Sequence, residues 1–254
     1  MRYEVLGPLR VVKDGEVLGL SARKMEIVLA ALLIRADQVV SVEQLITEVW
    51  GGSRPRRVHA ALYVYISQLR KMLGAGSPSP IVTRAPGYLL RTGTDEFDLH
   101  VFQRLADEGR AHARDGRHEE ARAAFAAALG LWRGPALGEL REGPIINGFA
   151  IWLEENRLEC NELLVESSLR LGRHRELVSG LQRLIGEHPL HEAFYRQLML
   201  ALWRCERRAD ALTVYQTART TLSRELGLEP GIRLRELQRS ILASGEGARL
   251  RAAV

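Results

Sequence analysis

The chain has 254 residues, of which 46% are hydrophobic and 26% are charged, with a formal net charge of +5 at pH 7 and two cysteines. This composition excludes a disordered chain and a disulfide-stapled one, and no apolar run reaches the roughly 20 residues of a membrane helix. No apolar signal-peptide core lies near Met1, so we expect a cytoplasmic protein that does not contact membranes. Cys160 and Cys205 are too few for a structural zinc site.

Three short strands and two helices are predicted at the start of the chain. Asp14-Gly15 between two of the apolar runs is typical of a type I′ hairpin turn. Apolar residues at helical spacing predict a core helix over 22–35. Ser41 and Gln44 fit a capping box that begins a second helix over 42–50. The strands are predicted at residues 3–6, 9–13 and 16–20.

The next helix has the two faces of a DNA-recognition helix. It is predicted from Pro55, whose missing N–H costs nothing in a first helical turn, to about Leu73. Its buried stripe holds Val58, Leu62, Ile66, Leu69 and Leu73. Its other faces carry basic, small and polar residues, which are Arg56, Arg57, His59, Ala60, Tyr63, Val64, Ser67, Gln68, Arg70 and Lys71. With Arg54 in the preceding turn, this pattern predicts a helix-turn-helix. The short side chains of Ala60 and Val64 would let the helix enter a major groove and contact thymine methyl groups.

An arginine-rich β-hairpin is predicted after the segment SPSP at 77–80, which cannot be helical. Its strands are expected at 81–84 and 88–91. Arg84 and Arg91 lie on the two arms, and Gly87 in the turn is expected to need a positive φ. Beside a recognition helix, such a hairpin is typical of a wing that lies over the DNA backbone or the minor groove.

The charge distribution supports a nucleic-acid partner. Residues 1–92 contain 13 Lys and Arg against 7 Asp and Glu, whereas residues 93–254 contain 23 against 24. Between Glu48 and Asp95 the sequence has no acidic residue. A stretch of one sign predicts a polyanionic partner, although a solvated basic face has the same pattern. Residues 1–92 are therefore predicted to form a winged helix-turn-helix domain that binds double-stranded DNA. Since the charge excess lies there, we expect a fragment ending near Asp95 to keep DNA binding but to lose activation.

Residues 93–254 are predicted to be helical and repetitive. Segments 172–177 and 206–211 share one pattern and are 34 residues apart, the period of tetratricopeptide repeats. A third copy at 116–121 is separated from them by an insertion. Such helix pairs stack into a small solenoid that holds a protein partner, or they only pack on the DNA-binding domain. The predicted fold class is mainly α with a small amount of β, a winged helix-turn-helix followed by an α-helical tetratricopeptide-like repeat domain.

Enzymatic motifs are missing from the sequence. No glycine precedes Lys13, Lys24 or Lys71, so the sequence contains no nucleotide-binding loop of the Walker A type. It also contains no G-x-S-x-G motif of a serine hydrolase. The stretch 191–195 begins like a zinc-protease helix, but Tyr195 stands where the second histidine would have to be. Asp95, Glu96 and Asp98 are predicted to cap a helix rather than to hold a metal ion. We therefore expect no catalytic activity, no cofactor and no metal.

Five segments resemble one family of bacterial regulators. LWRGPAL at 131–137, HPLHE at 188–192 and RELGLEPG at 224–231 are similar to signatures of the bacterial transcriptional activation domain. YISQLRK at 65–71 and TRAPGYLL at 83–90 resemble the recognition helix and wing of the same family, the Streptomyces antibiotic regulatory proteins in their small form. Three residues depart from the family pattern, Gln68 for Arg, Ala85 for Pro and Glu206 for Gly. Glu206 is expected to make the last repeat turn less sharp.

The resemblance implies an activator of a secondary-metabolite, or antibiotic, gene cluster. Such a protein binds direct repeats near the −35 promoter region and recruits RNA polymerase with its sigma factor. Two protomers on adjacent repeats are expected to associate with each other, and the protein to be associated with the nucleoid. The alternative is a repressor, or a DNA-binding adaptor whose repeats bind another protein or a small effector.

Overall fold

The computed structural model describes residues 1–20, 22–74, 79–93 and 95–251, with side chains described as far as residue 244. Part of the SPSP segment, at 77–78, lies outside the described residues. The chain divides into two compact units, one formed by residues 1–107 with 127–160 and the other by 108–126 with the residues from 161 onward. Among the described helices, none has both the length and the apolar composition that crossing a membrane requires.

The helices dominate the fold, as predicted. They are α1 (Arg23–Ile34), α2 (Val42–Trp50), α3 (Val58–Leu73), α4 (Asp98–Arg114), α5 (His118–Gly130), α6 (Pro144–Arg170), α7 (His174–Glu187), α8 (Glu192–Arg204), α9 (Arg208–Leu226) and α10 (Ile232–Arg251). The strands are β1 (Arg2–Glu4), β2 (Arg10–Lys13), β3 (Glu16–Val17), β4 (Val40–Ser41), β5 (Ile81–Arg84), β6 (Gly87–Leu90) and β7 (Glu96–Phe97).

The first sheet has the strand order β3-β2-β1-β7. The predicted hairpin turn is confirmed, because Asp14 and Gly15 have φ angles of +52° and +88°, as a type I′ turn requires. β7, which the sequence does not predict, pairs in parallel with β1 and places Phe97 opposite Tyr3. Both aromatic rings are buried, so this sheet closes one side of the core.

The helix-turn-helix consists of α2 and α3, packed on α1. The capping box is confirmed, since the Gln44 N–H donates to Ser41 Oγ at 3.1 Å and the Ser41 N–H donates to Gln44 Oε1 at 2.9 Å. α3 begins at Val58 and not at Pro55, which corrects the predicted helix start. The first helical hydrogen bond runs from the Ala61 N–H to the Arg57 carbonyl, and no side chain caps the helix before it.

A second sheet with the order β4-β6-β5 forms the wing. The predicted hairpin β5–β6 is confirmed, and its register pairs Thr83 with Tyr88. β4, a strand that the sequence does not predict, pairs with β6 through Val40 and Tyr88. Because β4 leads directly into α2, the wing is joined to the first helix of the helix-turn-helix.

Two buried carboxylates connect distant segments of the first unit. Glu48 on α2 accepts hydrogen bonds from the Ile145 and Ile146 N–H groups at the start of α6, at 2.8 and 2.9 Å. Asp98 accepts from the N–H groups of Val5, at 2.9 Å, and Leu6, at 3.1 Å. Burial raises the pKa of the Asp98 carboxyl, although these N–H groups act in the opposite direction.

These contacts correct the prediction for the acidic residues before α4. Glu96 lies in β7, and Asp98 is the first residue of α4, yet its carboxylate binds the loop after β1. The reason is the parallel pairing of β7 with β1, which brings that loop against the start of α4.

Three turns in the second unit share one geometry. Shortly after α4, α6 and α8, the chain passes through a residue with positive φ, which is +74° at Gly116, +76° at Gly172 and +63° at Glu206. The following N–H groups donate to carbonyls in the last helical turn, Arg117 to His112, Arg173 to Ser168 and Arg207 to Leu202. This is a Schellman motif in all three cases, so the repeats are confirmed. The turn at Glu206 is as tight as the other two, which corrects the expectation of a less sharp turn.

Glu206→Gly is expected to raise the free energy of unfolding by about 1 kcal/mol, because a residue with a Cβ is strained in the left-handed region. Gly172→Ala is the matched control and is expected to lower the free energy of unfolding. Its turn has the same geometry, and a Cβ there meets no atom within 4 Å, so only the backbone strain changes. Thermal unfolding of the full chain measures both changes. A lower melting temperature for Glu206→Gly would contradict this account of the turn.

Candidate nucleic-acid interface

α3 presents one buried face and one exposed face. Leu62, Ile66, Leu69 and Leu73 are buried, as predicted, and Val58 is half-buried. The exposed residues on and before the helix are Arg54, Arg56, Arg57, His59, Ala60, Tyr63, Val64, Ser67, Gln68 and Lys71. Tyr63 is 64% exposed and Val64 is 49% exposed, so two large apolar side chains face the solvent beside cations. Such a face is suited to the apolar and charged surface of a major groove.

The cations of this face differ in whether an acidic side chain of the protein pairs with them. Among the described residues, no acidic side chain lies within ion-pair distance of Arg56, Arg57 or Lys71. Arg54 instead donates to Glu43 Oε2 at 3.0 Å and to Thr47 Oγ1 at 3.1 Å. His59 Nε2 lies 3.6 Å from the other oxygen of Glu43.

Glu43 therefore fixes two of the predicted DNA-contacting residues from the first turn of α2. This role of Glu43 is not evident from the sequence, because Glu43 and Arg54 lie on opposite sides of the α2–α3 turn. The capping box that begins α2 was the available signal, since it places Glu43 at the exposed helix start.

Arg70 points toward the wing. Its Nε donates to the Ile81 carbonyl at 3.0 Å and its Nη2 donates to Thr83 Oγ1 at 2.7 Å. The guanidinium carbon lies 5.6 Å from the ring centroid of Tyr88. Arg70 is half-buried, whereas Arg84 and Arg91 on the wing are exposed. Arg70 thus links the recognition helix to both strands of the wing hairpin.

Gly87 is required for a different reason from the predicted one. Its φ is not in the positive region, so the expectation of a left-handed turn residue is wrong. A Cβ on Gly87 would overlap the Val40 carbonyl oxygen and approach Ser41 Cα to 2.7 Å. The close pairing of β4 with β6 therefore excludes a side chain at this position.

An exposed recognition helix that is rich in cations and joined to a β-hairpin wing defines a winged helix-turn-helix DNA-binding protein. Comparison with family models agrees. Residues 15–90 match the family described as "Transcriptional regulatory protein, C terminal", and residues 97–242 match the "Bacterial transcriptional activator domain". The chain belongs to the Streptomyces antibiotic regulatory protein family of transcription activators.

Two bacterial regulatory proteins are similar to this chain over 97% of its length. Regulatory protein DnrI of Streptomyces peucetius is 38% identical over 97% of this chain and 94% of its own length. Regulatory protein AfsR of Streptomyces griseus is 37% identical over 97% of this chain, which covers 25% of AfsR. These relatives are transcriptional regulators, so this chain is a regulator and not an enzyme.

The solved structure of Mycobacterium tuberculosis EmbR in complex with a low affinity phosphopeptide has the same fold. It superposes with a TM-score of 0.90 at 34% identity, over 96% of this chain and 65% of that chain. The predicted fold class, a winged helix-turn-helix followed by a helical repeat domain, is therefore confirmed.

Proposed function

We propose that this protein activates transcription of an antibiotic biosynthetic gene cluster. It binds direct repeats near the −35 promoter region and recruits RNA polymerase with its sigma factor, in the cytoplasm at the nucleoid. Two protomers associate with each other on adjacent repeats. The observation that carries this proposal is the exposed cationic face of α3, since it lies in one chain with a bacterial transcriptional activator domain.

The exposed face divides into residues that position the DNA and residues that distinguish bases. Arg56 and Arg57 precede the start of α3, where side-chain charge and helix N–H groups both attract phosphate. Ala60 and Val64 are four residues apart on one helix face and are short enough to contact thymine methyl groups. The remaining contacts are assigned to the residues of the flanks and the wing, which are Arg54, His59, Tyr63, Ser67, Gln68, Lys71, Arg84 and Arg91.

Direct repeats are the operator that the resemblance to the Streptomyces antibiotic regulatory proteins implies. Two protomers that lie head to tail on one face of DNA need repeats about one helical turn apart, roughly 10–11 bp. A second protomer held nearby raises the effective concentration of the first, so binding is cooperative. Inserting about 5 bp places the two protomers on opposite faces of the duplex and removes this gain.

Transcription with purified RNA polymerase on a promoter from the protein's own gene cluster tests this function. The full chain is expected to raise the transcript level, and a template with about 5 bp inserted between the repeats is expected to lose most of that gain. Arg56→Ala and Arg57→Ala are the controls, each with operator affinity at least about tenfold lower through loss of a phosphate or guanine contact.

A lower transcript level with the full chain would identify a repressor instead. Unchanged footprints from both arginine variants would remove α3 from the role of contacting DNA.

A further inference from the structure

The angle between a wing and its recognition helix decides which phosphates the wing can contact. In this wing, β5 is one of the two edge strands of the sheet, with β6 as its strand partner. β5 carries Arg84 at its end, exposed and next to the turn. A tilt of β5 relative to α3 would therefore move Arg84 along the DNA backbone.

Arg70 contacts both strands of the wing hairpin from α3. Two of its N–H groups bind β5, one at the Ile81 carbonyl and one at Thr83 Oγ1. Its guanidinium carbon lies over the ring of Tyr88 on β6, 5.6 Å from the ring centroid. A planar group that is fixed by two hydrogen bonds and one ring contact holds a defined orientation between the helix and the hairpin.

We propose that Arg70 is a positioning residue that sets the angle of the wing against α3 and does not contact DNA itself. The sequence pattern places it among the DNA-contacting residues because it is a cation at the flank of the recognition helix. The structure directs two of its five N–H donors toward acceptors in the wing, the Ile81 carbonyl and Thr83 Oγ1.

Replacement of Arg70 by lysine distinguishes a residue that positions the wing from a residue that contacts phosphate. A phosphate contact needs mainly a positive charge, so Arg70→Lys would preserve it. The link to the wing needs a planar guanidinium that donates two hydrogen bonds and lies over the Tyr88 ring, which an ammonium group does not provide. Thr83→Val tests the same link without any change of charge, since it removes only the acceptor hydroxyl.

The experiment uses the full chain and a duplex that the wild-type protein has selected from a randomised library. Hydroxyl-radical footprints and dissociation constants are measured for Arg70→Lys, Arg70→Gln and Thr83→Val. Arg84→Ala is the reference, because the protections that it loses define the position of the wing on the duplex. Lys71→Gln is the control for a simple loss of one exposed cation next to Arg70.

Arg70→Lys and Arg70→Gln are expected to weaken binding equally, by about tenfold, the effect of losing a charge-assisted hydrogen bond. Both are expected to lose the same protections as Arg84→Ala, while the protections due to α3 remain. Thr83→Val is expected to weaken the wing protections as well, and to add nothing further to Arg70→Lys, because the two side chains form one contact.

Two results would overturn the proposal. One is wild-type affinity and a wild-type footprint for Arg70→Lys alongside a loss for Arg70→Gln, which would show a phosphate contact. The other is a wild-type wing footprint for Thr83→Val. Thr83→Val tests the proposal even if the Arg70 variants fold poorly. Circular dichroism and thermal unfolding show whether they do.

Discussion

Gly87→Val is expected to detach the wing from β4 and to lower the affinity for operator and random DNA alike by at least about tenfold. The new side chain would occupy the position of the Val40 carbonyl oxygen, which is backbone and has no rotamer to change. The overlap also reaches Ser41, the N-cap of α2. We expect the free energy of unfolding to fall by about 3 kcal/mol, at the upper end of the cost of overpacking.

The prediction is checked by chemical denaturation and by binding to both kinds of DNA. Gly19→Ala is the matched control, because a Cβ there meets no atom within 4 Å and should leave both measurements unchanged. Loss of affinity for both DNAs would show that the wing contributes charge rather than base recognition. A variant that keeps its affinity but changes its base preference would mean that the wing distinguishes sequences.

Elements with a local signal were predictable from the sequence. The capping box predicts the start of α2 at Val42, because its reciprocal hydrogen bonds involve residues only three apart. The type I′ turn at Asp14-Gly15 is likewise a property of two residues. β4 and β7 were missed because each has two residues, too few for a period, and each depends on pairing with a strand far away in sequence.

The exposed face of α3 was predictable because it also depends on a local pattern. The directions of its long side chains were not predictable. A helical wheel gives the direction of each Cβ, which separates buried Leu62 from exposed Tyr63. It does not show where the guanidinium of Arg70 ends, because that depends on acceptors in the wing. The start of α3 was misplaced since Pro55 fits a first turn but does not require one.

Glu48 illustrates a residue whose role no local pattern indicates. It is 1% exposed on α2, where an isolated carboxylate would be costly, and its two oxygens accept the first free N–H groups of α6. Gly143 allows this approach, because a Cβ at that position would overlap the carboxylate. Glu48 thus acts as an N-terminal cap for α6 that comes from the helix-turn-helix.

Glu48→Ala is expected to lower the free energy of unfolding by about 3 kcal/mol, because two buried N–H groups lose their acceptors and the site gains a cavity. Glu48→Gln keeps the volume and one suitable acceptor, so its loss should be smaller. Glu43→Ala is the control on the same helix, where an exposed ion pair is worth less than about 1 kcal/mol. Equal stability of Glu48→Ala and the wild type in denaturant would contradict the capping role.

The same contact changes the expectation for a fragment that ends near Asp95. The charge distribution alone favoured a fragment that still binds its operator. Such a fragment lacks β7, the sheet partner of β1, and it also lacks the helix that pairs with the Glu48 carboxylate. Loss of β7 removes the Phe97 ring opposite buried Tyr3, and loss of α6 uncovers the side chain of Glu48, so we now expect the fragment to unfold and to lose DNA binding. A cooperative unfolding transition and a wild-type footprint from the fragment would show that α6 is dispensable for the DNA-binding fold.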